Sequence, residues 1–453
     1  MKKLGFILYV MVLLLSNTSK AQLSLSVTSH DSIFIRNVQS VYSTNVNKIG
    51  DHFFIPFHGE GIRTYDAQGN ELGIIRFEKW NKRKHVKYYV NEPYVSVQYD
   101  KLFADNEWGY FQVLDTSGFP LLKTNIWKNY KKQYINGILV ELIGGGRYSN
   151  PSKIVWRDTI IFPIRPLVYY QKIIKKSDKY ERMYHYFGNS NTHELDLLPE
   201  FPLFHLYKMN TADLPIGKTI DDKKGERMQF LKAVGIVDPY WQKELRKGYF
   251  YPMAQTQYYD FDSVRKQIIC GNSVQAEIKV YDLAGKHIKT FGQRGRHLLP
   301  SDNPYRLSKQ VFMDSLKVLV EQKSAKWTGE IYRFTANYSG SIIYTSYLNS
   351  EIKYDAVHNR TYRLYSRPVP FTQQEVYRMA NSSGDSREQF DSLHYHRKTY
   401  LQIYDHNDND RLIFDEAVPT PFHILEVKGD SLWAVAGVSD KGLKVVKYVM
   451  RKD

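Results

Sequence analysis

Asp405, Asn407, Asn409 and Glu416 stand at positions 1, 3, 5 and 12 of the stretch DHNDNDRLIFDE, the spacing of a calcium loop. Oxygen donors so placed can surround a hard divalent cation. Asp410, however, holds the sixth position, where such loops need glycine for a sharp turn. The flanks LQIYD and RLIF read as strands rather than helices. A polar turn between two strands is the favoured reading, so no cofactor is expected, with calcium the alternative. His394 and His396 in HYH share one face of a strand and offer two imidazoles, half of a zinc set, with no third ligand near them. The stretches GGGR (144–147) and GQRGR (292–296) have the composition of phosphate-cradling loops, but neither leads into the helix that such loops serve. Chain crossings account for their glycines. No G-x-S-x-G motif occurs, and no acid pair for glycoside cleavage stands out. Cys270, the single cysteine, lies in QIICG, which reads as a buried strand where a thiol acts as a small apolar group.

Binding chemistry has more candidates. Trp241, Arg147, Tyr148, Tyr305 and Arg306, with Tyr89 and Tyr94, fall between strand patterns. Aromatic rings stack on sugar faces, and arginine pairs with carboxylates or phosphates. Ordinary sheet packing is the competing role for each.

The elements that must position these residues repeat. IKVYDLAGKHIKTFGQRG (278–295), IRTYDAQGNELGIIRF (62–77), FQVLDTSGFPLLKT (111–124) and LQIYDHNDNDRLIF (401–414) are each a strand, an aspartate-led turn and a second strand. Aspartate caps such a turn through its side chain, and glycine supplies the positive φ. In EIKVYD, Ile278, Val280 and Asp282 share one face and Lys279 and Tyr281 the other. Two more strands precede each hairpin: VNKIG and DHFFIPFH, QTQYYDFD and RKQIICG, EIKYDA and RTYRLYSR. The best helical periodicity, GERMQFLKAVG (225–235), gives only a short apolar stripe.

Four-stranded units recurring at this spacing predict an all-β propeller, because one twisted sheet buries its faces only by packing on its neighbours around an axis. Seven blades are favoured, counting units at 151–198 and 305–348, and six is the alternative. The last unit has three strands (PFHILEVKG, SLWAVAGV, LKVVKYVM), and the spare strand SIFIRNV (32–38) is expected to complete it and close the ring. Residues 22–453 form one domain, with an insertion at about 199–254 expected to cover one mouth.

On these phrases, 278–295 above all, the chain resembles NHL-type propeller repeats. As a whole it resembles uncharacterised exported bacterial six-bladed-propeller proteins, departing from the lipoproteins among them in having no cysteine near residue 21. The resemblance implies fold and export and carries no defined activity.

Residues 1–21 read as a signal peptide: Lys2 and Lys3, then LGFILYVMVLLL, then SNTSKA with cleavage after Ala21. A periplasmic or secreted protein follows, with no transmembrane segment. Removing Lys2, Lys3 and Lys20 lowers the net charge from +16 to +13. In an exported chain that excess favours an anionic glycan or envelope polymer, or a protein partner, over nucleic acid. The stretches KWNKRKHVKYY (79–89) and YQKIIKKSDKYER (170–182) concentrate the charge. The expected function is a monomeric, non-catalytic binding propeller. The alternative is a propeller lyase or hydrolase with a calcium or acid-pair site in the channel.

Overall fold

The computed structural model describes residues 23–36, 38, 46–57, 61–75, 94–98, 101–105, 110–125, 133–135, 138–140, 154–163 and 168–170. It further describes 204–209, 214–215, 217–222, 224–234, 243–244, 247, 249–250, 257–303, 307–308, 346–369, 397–439 and 441–452. The chain is an all-β propeller of six four-stranded blades.

Blade 1 is Asn47–Ile49, His52–Phe57, Gly61–Tyr65 and Glu71–Ile75, and blade 2 is Tyr94–Gln98, Lys101–Asp105, Tyr110–Asp115 and Pro120–Asn125. Blade 3 is Ile154–Trp156, Thr159–Pro163, Phe204–Met209 and Met228–Val234. Blade 4 is Gln257–Asp262, Gln267–Asn272, Ile278–Asp282 and His287–Phe291, and blade 5 is Tyr347–Asp355, Arg360–Pro368, Arg397–Asp405 and Arg411–Val418. Blade 6 is His423–Lys428, Ser431–Ser439 and Gly442–Lys452, completed by Leu23–Ile35. Within every blade the strands pair antiparallel in chain order, apart from the N-terminal strand that completes blade 6.

Six blades replace the favoured seven because blade 4 packs directly on blade 5. Tyr258, Ile269, Ile278, Val280 and Phe291 share one apolar cluster with Ile352 and Tyr404. Asn349 Nδ2 donates to Asn272 O at 2.8 Å across the same seam. No blade fits between them, so the pattern at 305–348 is not a seventh unit. Most of that stretch lies outside the described residues; Leu307–Ser308 pairs with Tyr249–Phe250 off the ring, and Tyr347 opens blade 5. The outer half of blade 3 comes from within 199–254, the stretch read as an insertion. Met228–Val234, where the helical stripe fell, is a strand because it pairs with Phe204–Met209 and buries Met228 and Val234. Ile138–Val140 belongs to a three-stranded sheet apart from the blades.

The alternation in IKVYD sorts its side chains between two neighbours. Ile278 and Val280 face blade 5, and Tyr281 joins the cluster shared with blade 3. Similar clusters join blade 5 to 6, 6 to 1 and 1 to 2. Between blades 2 and 3, Ile220–Asp222 adds a parallel strand to Pro120–Asn125, fixed by a 2.8 Å bond from Thr124 Oγ1 to Asp222.

The ring closes as expected. Ile33 pairs with Val445 and Ile35 with Leu443, antiparallel, so the last blade has its fourth strand. Blade 6 would otherwise present the free edge of Gly442–Lys452.

Candidate functional site

Antiparallel alternation divides the connections between two faces. Turns linking first to second and third to fourth strands open on one face. Connections from second to third strands, and those entering the next first strand, open on the other. The first kind are mostly short and saturated. Asp66 Oδ1 accepts from Gln68 N at 2.9 Å and Asn70 N at 2.8 Å, Asp115 from Phe119 N at 2.8 Å, and Asp282 from Lys286 N at 2.8 Å. Gly69, Gly118 and Gly285 have φ of 80°, 89° and 92°. Long stretches at 76–93, 126–153, 235–256 and 304–346 precede first strands, those at 164–203 and 369–396 precede third strands, and 210–227 joins the third and fourth strands of blade 3.

The binding candidates belong to those connections. Arg147 and Tyr148 precede Ile154, Trp241 precedes Gln257, and Tyr305 and Arg306 precede Tyr347. These five residues lie outside the described residues, as do Tyr89, His394, His396 and the charged runs 79–89 and 171–182. Tyr94 opens the first strand of blade 2.

At the face from which the first strands start, the described part of the site is the loop at 292–303, which runs from blade 4 along blade 5. GQRGR is thus a crossing, and a tightly held one. Arg363 is fully buried and donates to Ala276 O and, at 2.7 Å, to Gln293 O. Gln293 N donates to Tyr404 Oη at 3.1 Å, and Arg296 N donates to Asp415 Oδ2 at 3.1 Å. Asp415 also accepts from Tyr365 Oη at 2.6 Å and Gln402 Nε2 at 2.8 Å. Burial pulls the Arg363 guanidinium below its ordinary range, opposed by Tyr404, Asp415 and Tyr365. It pushes the Tyr365 phenol up, and the bond to Asp415 adds to the rise. Above this network the rings of His297 and Tyr400 stack at 4.7 Å, and Tyr400 stacks on Tyr365 at 5.0 Å. A Cβ on Gly295 would overlap the Tyr365 ring, so the loop backbone rests on that ring.

Nothing local in RTYRLYSR marks Arg363 as buried. The strand is covered on both faces, by blade 4 with its exit loop and by blade 6, and only tertiary packing creates that condition.

The calcium spacing dissolves into separate contacts. Asp405 accepts from Asn407 N at 2.9 Å, and Asn407 Oδ1 accepts from Asn359 Nδ2 at 2.8 Å. Asn409 and Asp410 take the left-handed conformation, with φ of 50° and 58°, in place of glycine. Glu416 pairs in register with Leu401, four residues along the strand from Asp405. That is about 13 Å of backbone at ~3.3 Å per residue, and Glu416 Oε1 is contacted by Arg296 while Asp405 caps its own turn, so the spaced acids do not gather at one point.

The turn also holds a hydroxyl–imidazole–carboxylate series. Thr361 Oγ1 lies 2.7 Å from His406 Nε2, and His406 Nδ1 lies 2.5 Å from Asp410 Oδ1, which Lys289 Nζ also contacts. The order is that of a hydrolase triad, but Thr361 is fully buried and presents no oxygen to a substrate. Burial holds His406 below its ordinary range; the Asp410 bond opposes this and the Lys289 charge reinforces it. Burial raises the Asp410 carboxyl, but its bonds from Lys289 and His406 outweigh that and leave it lowered. The series is an inter-blade strut. Cys270 is buried too, and loss of hydration pushes its thiol up to about 12, well away from reactivity at neutral pH.

No protein-family profile matches the sequence, and no curated protein matches it. Solved structures do match in shape. A member of the DUF4221 family from Bacteroides vulgatus superposes with a TM-score of 0.51 at 11% identity, covering 96% of this chain and all of the other. A Bacteroides fragilis protein described as exported covers 96% of this chain and 98% of its own, with a TM-score of 0.42 at 9% identity. The first likeness supports the propeller fold and nothing finer. Among the described residues, no helix is long and apolar enough to cross a membrane.

Proposed function

We propose that this protein is an exported, non-catalytic binding propeller, periplasmic or extracellular, that takes an anionic sugar chain or envelope polymer at the mouth entered by its long connections. The observation that carries this reading is the asymmetry of the two faces. One is closed largely by short turns whose aspartates and glycines are committed to the backbone. The other is the face from which the first strands start, and Trp241, Arg147, Tyr148, Tyr305 and Arg306 fall in sequence within stretches that precede those strands. Variable loops on a rigid scaffold are where binding residues concentrate. The leader at 1–21 supports export, and the net charge of +13 left after removing Lys2, Lys3 and Lys20 supports an anionic partner.

The test is a titration of polygalacturonate and dextran sulfate at low and high salt, with neutral dextran as control. Binding to the acidic polymers should weaken as salt rises, because exposed charges act over roughly 10 Å at 0.1 M and about 3 Å at 1 M. Trp241→Ala should weaken it further at unchanged melting temperature. Absence of binding to any acidic polymer at low salt would sink the reading and leave a partner protein as the ligand to seek.

A further inference from the structure

We propose that residues 292–303 are the anion-contacting element of this mouth, that Arg296 receives a carboxylate of the sugar chain, and that Glu416 is the internal carboxylate which the ligand displaces. This deepens the anionic-ligand reading above and rests on it.

The first support is the preorganisation of an exposed loop. Arg363, Tyr365, Gln402, Tyr404 and Asp415, mostly buried, hold its backbone, as described above. The loop also holds itself. Arg294 Nη2 donates to Leu299 O at 2.9 Å and to Asp302 O at 2.5 Å, and Leu299 N donates to Asp302 Oδ2 at 2.7 Å. Arg367 of blade 5 clamps Asp302 at 3.1 Å. Leu298 packs with Leu348, Tyr365 and Tyr400 at the start of blade 5. What this scaffold presents to solvent is cationic: Arg294 and Arg296 are both exposed. Rigid support beneath a polar constellation is what a binding site requires, since ordering is then complete before the ligand arrives.

The second support is the Arg296–Glu416 pair. Their side chains are 56% and 39% exposed, and Arg296 Nη2 contacts Glu416 Oε1. An ion pair this exposed is worth little, so an incoming carboxylate can replace Glu416 at small cost. Arg296 itself stays in place. Its backbone N–H is tied to Asp415, and its Nε donates to His297 Nε2 at 3.2 Å, on the ring stacked over Tyr400. A guanidinium fork matches a planar carboxylate, and the group it already holds is one.

The test measures polygalacturonate binding to the intact protein and to Glu416→Gln, Arg296→Gln and Glu226→Gln. Glu226 is an exposed acid on blade 3, away from this loop, so its variant makes the same change in net charge. Glu416→Gln should tighten binding about two- to fivefold, the worth of an exposed ion pair. Arg296→Gln should weaken it severalfold, and Glu226→Gln should leave it unchanged. Circular dichroism and melting temperature check that each variant is folded. Equal effects of Glu416→Gln and Glu226→Gln, or an Arg296→Gln protein that binds like the parent, would overturn the proposal while leaving salt-sensitive binding by the parent intact. A parent protein that binds no polygalacturonate would overturn both.

Discussion

Gly69 and Gly285 occupy equivalent turns. Both need positive φ, which costs a β-branched residue roughly 1–3 kcal/mol. A Cβ at Gly69 would also collide with the backbone carbonyl of Phe34 in the closing strand. Gly285→Val should therefore lower the denaturant midpoint by an amount equivalent to roughly 1–3 kcal/mol, and Gly69→Val should exceed that range because of the added collision. A Gly69→Val loss no larger than roughly 1–3 kcal/mol would show that the closing strand does not rest on that turn. His406 makes a second residue-scale prediction. Its folded pKa is depressed, chiefly by burial, whereas an unfolded imidazole titrates near 6.5. Between those values the unfolded chain binds more protons, so stability falls as pH drops below about 6.5 towards the folded pKa. The other groups facing it are Asp410, Lys289, Tyr354 and Arg265, and only the first favours protonation at short range. Melting temperature should thus fall less between about pH 7 and pH 5 in His406→Gln than in the parent, which removes this one linkage. Identical pH profiles would remove His406 from the account.

At the level of elements, the fourth strands of blades 1, 2 and 4 meet the third-to-fourth connections of the blades that follow. Gly118 abuts Ile75, Asp222 bonds Thr124, and Asp410 bonds Lys289. Innermost strands are tied as well: Asp260 Oδ2 accepts from Tyr354 N at 2.7 Å and Glu351 Oε2 from Ile424 N at 3.1 Å, so an acid on one blade satisfies the inner edge of the next. The strand Leu23–Ile35 is the one element that must come from the far end of the chain. Deleting residues 22–38 exposes the edge of Gly442–Lys452 and removes Ile35 and Val38 from the cluster shared by blades 6 and 1. The truncated protein should aggregate, as followed by light scattering, because each blade is stabilised mainly by its neighbours. A truncated protein that stays monodisperse with an unchanged melting temperature would refute closure as a stabilising feature.

For the whole molecule, closure converts a row of blades into a ring with no terminal unit. Among the described residues, apolar clusters bridge five of the six seams, and a parallel strand bridges the sixth. An open row of repeats can fray from its ends, whereas a ring has none. Thermal unfolding should be one transition, coincident by far-ultraviolet dichroism and tryptophan fluorescence. Separated transitions would show that the blades melt independently.

The amino-acid sequence determined the strand pattern, the Asp-capped turns and the closing strand, because each rests on local chemistry. Period-two alternation selects a strand face, aspartate caps its own turn, and an incomplete last unit calls for a spare strand. Even the calcium-like spacing at 405–416 carried its own warning in Asp410. The number of blades was decided only in three dimensions. Adjacency of sheets is a matter of packing, so 305–348 reads as a blade until Asn349 and Ile352 are found against blade 4. The third and fourth strands of blade 3 were hidden likewise, since Phe204–Met209 and Met228–Val234 are separated from Thr159–Pro163 and from each other by long connections. Of the described candidate site, only the crossing itself was legible. GQRGR reads as a chain crossing and its arginines do not stand out as site residues, and Arg363, Tyr365 and Asp415 hold that loop from strands that look ordinary. Burial of a charged group on a two-sided strand depends on what packs against it, and no stretch of sequence contains that information.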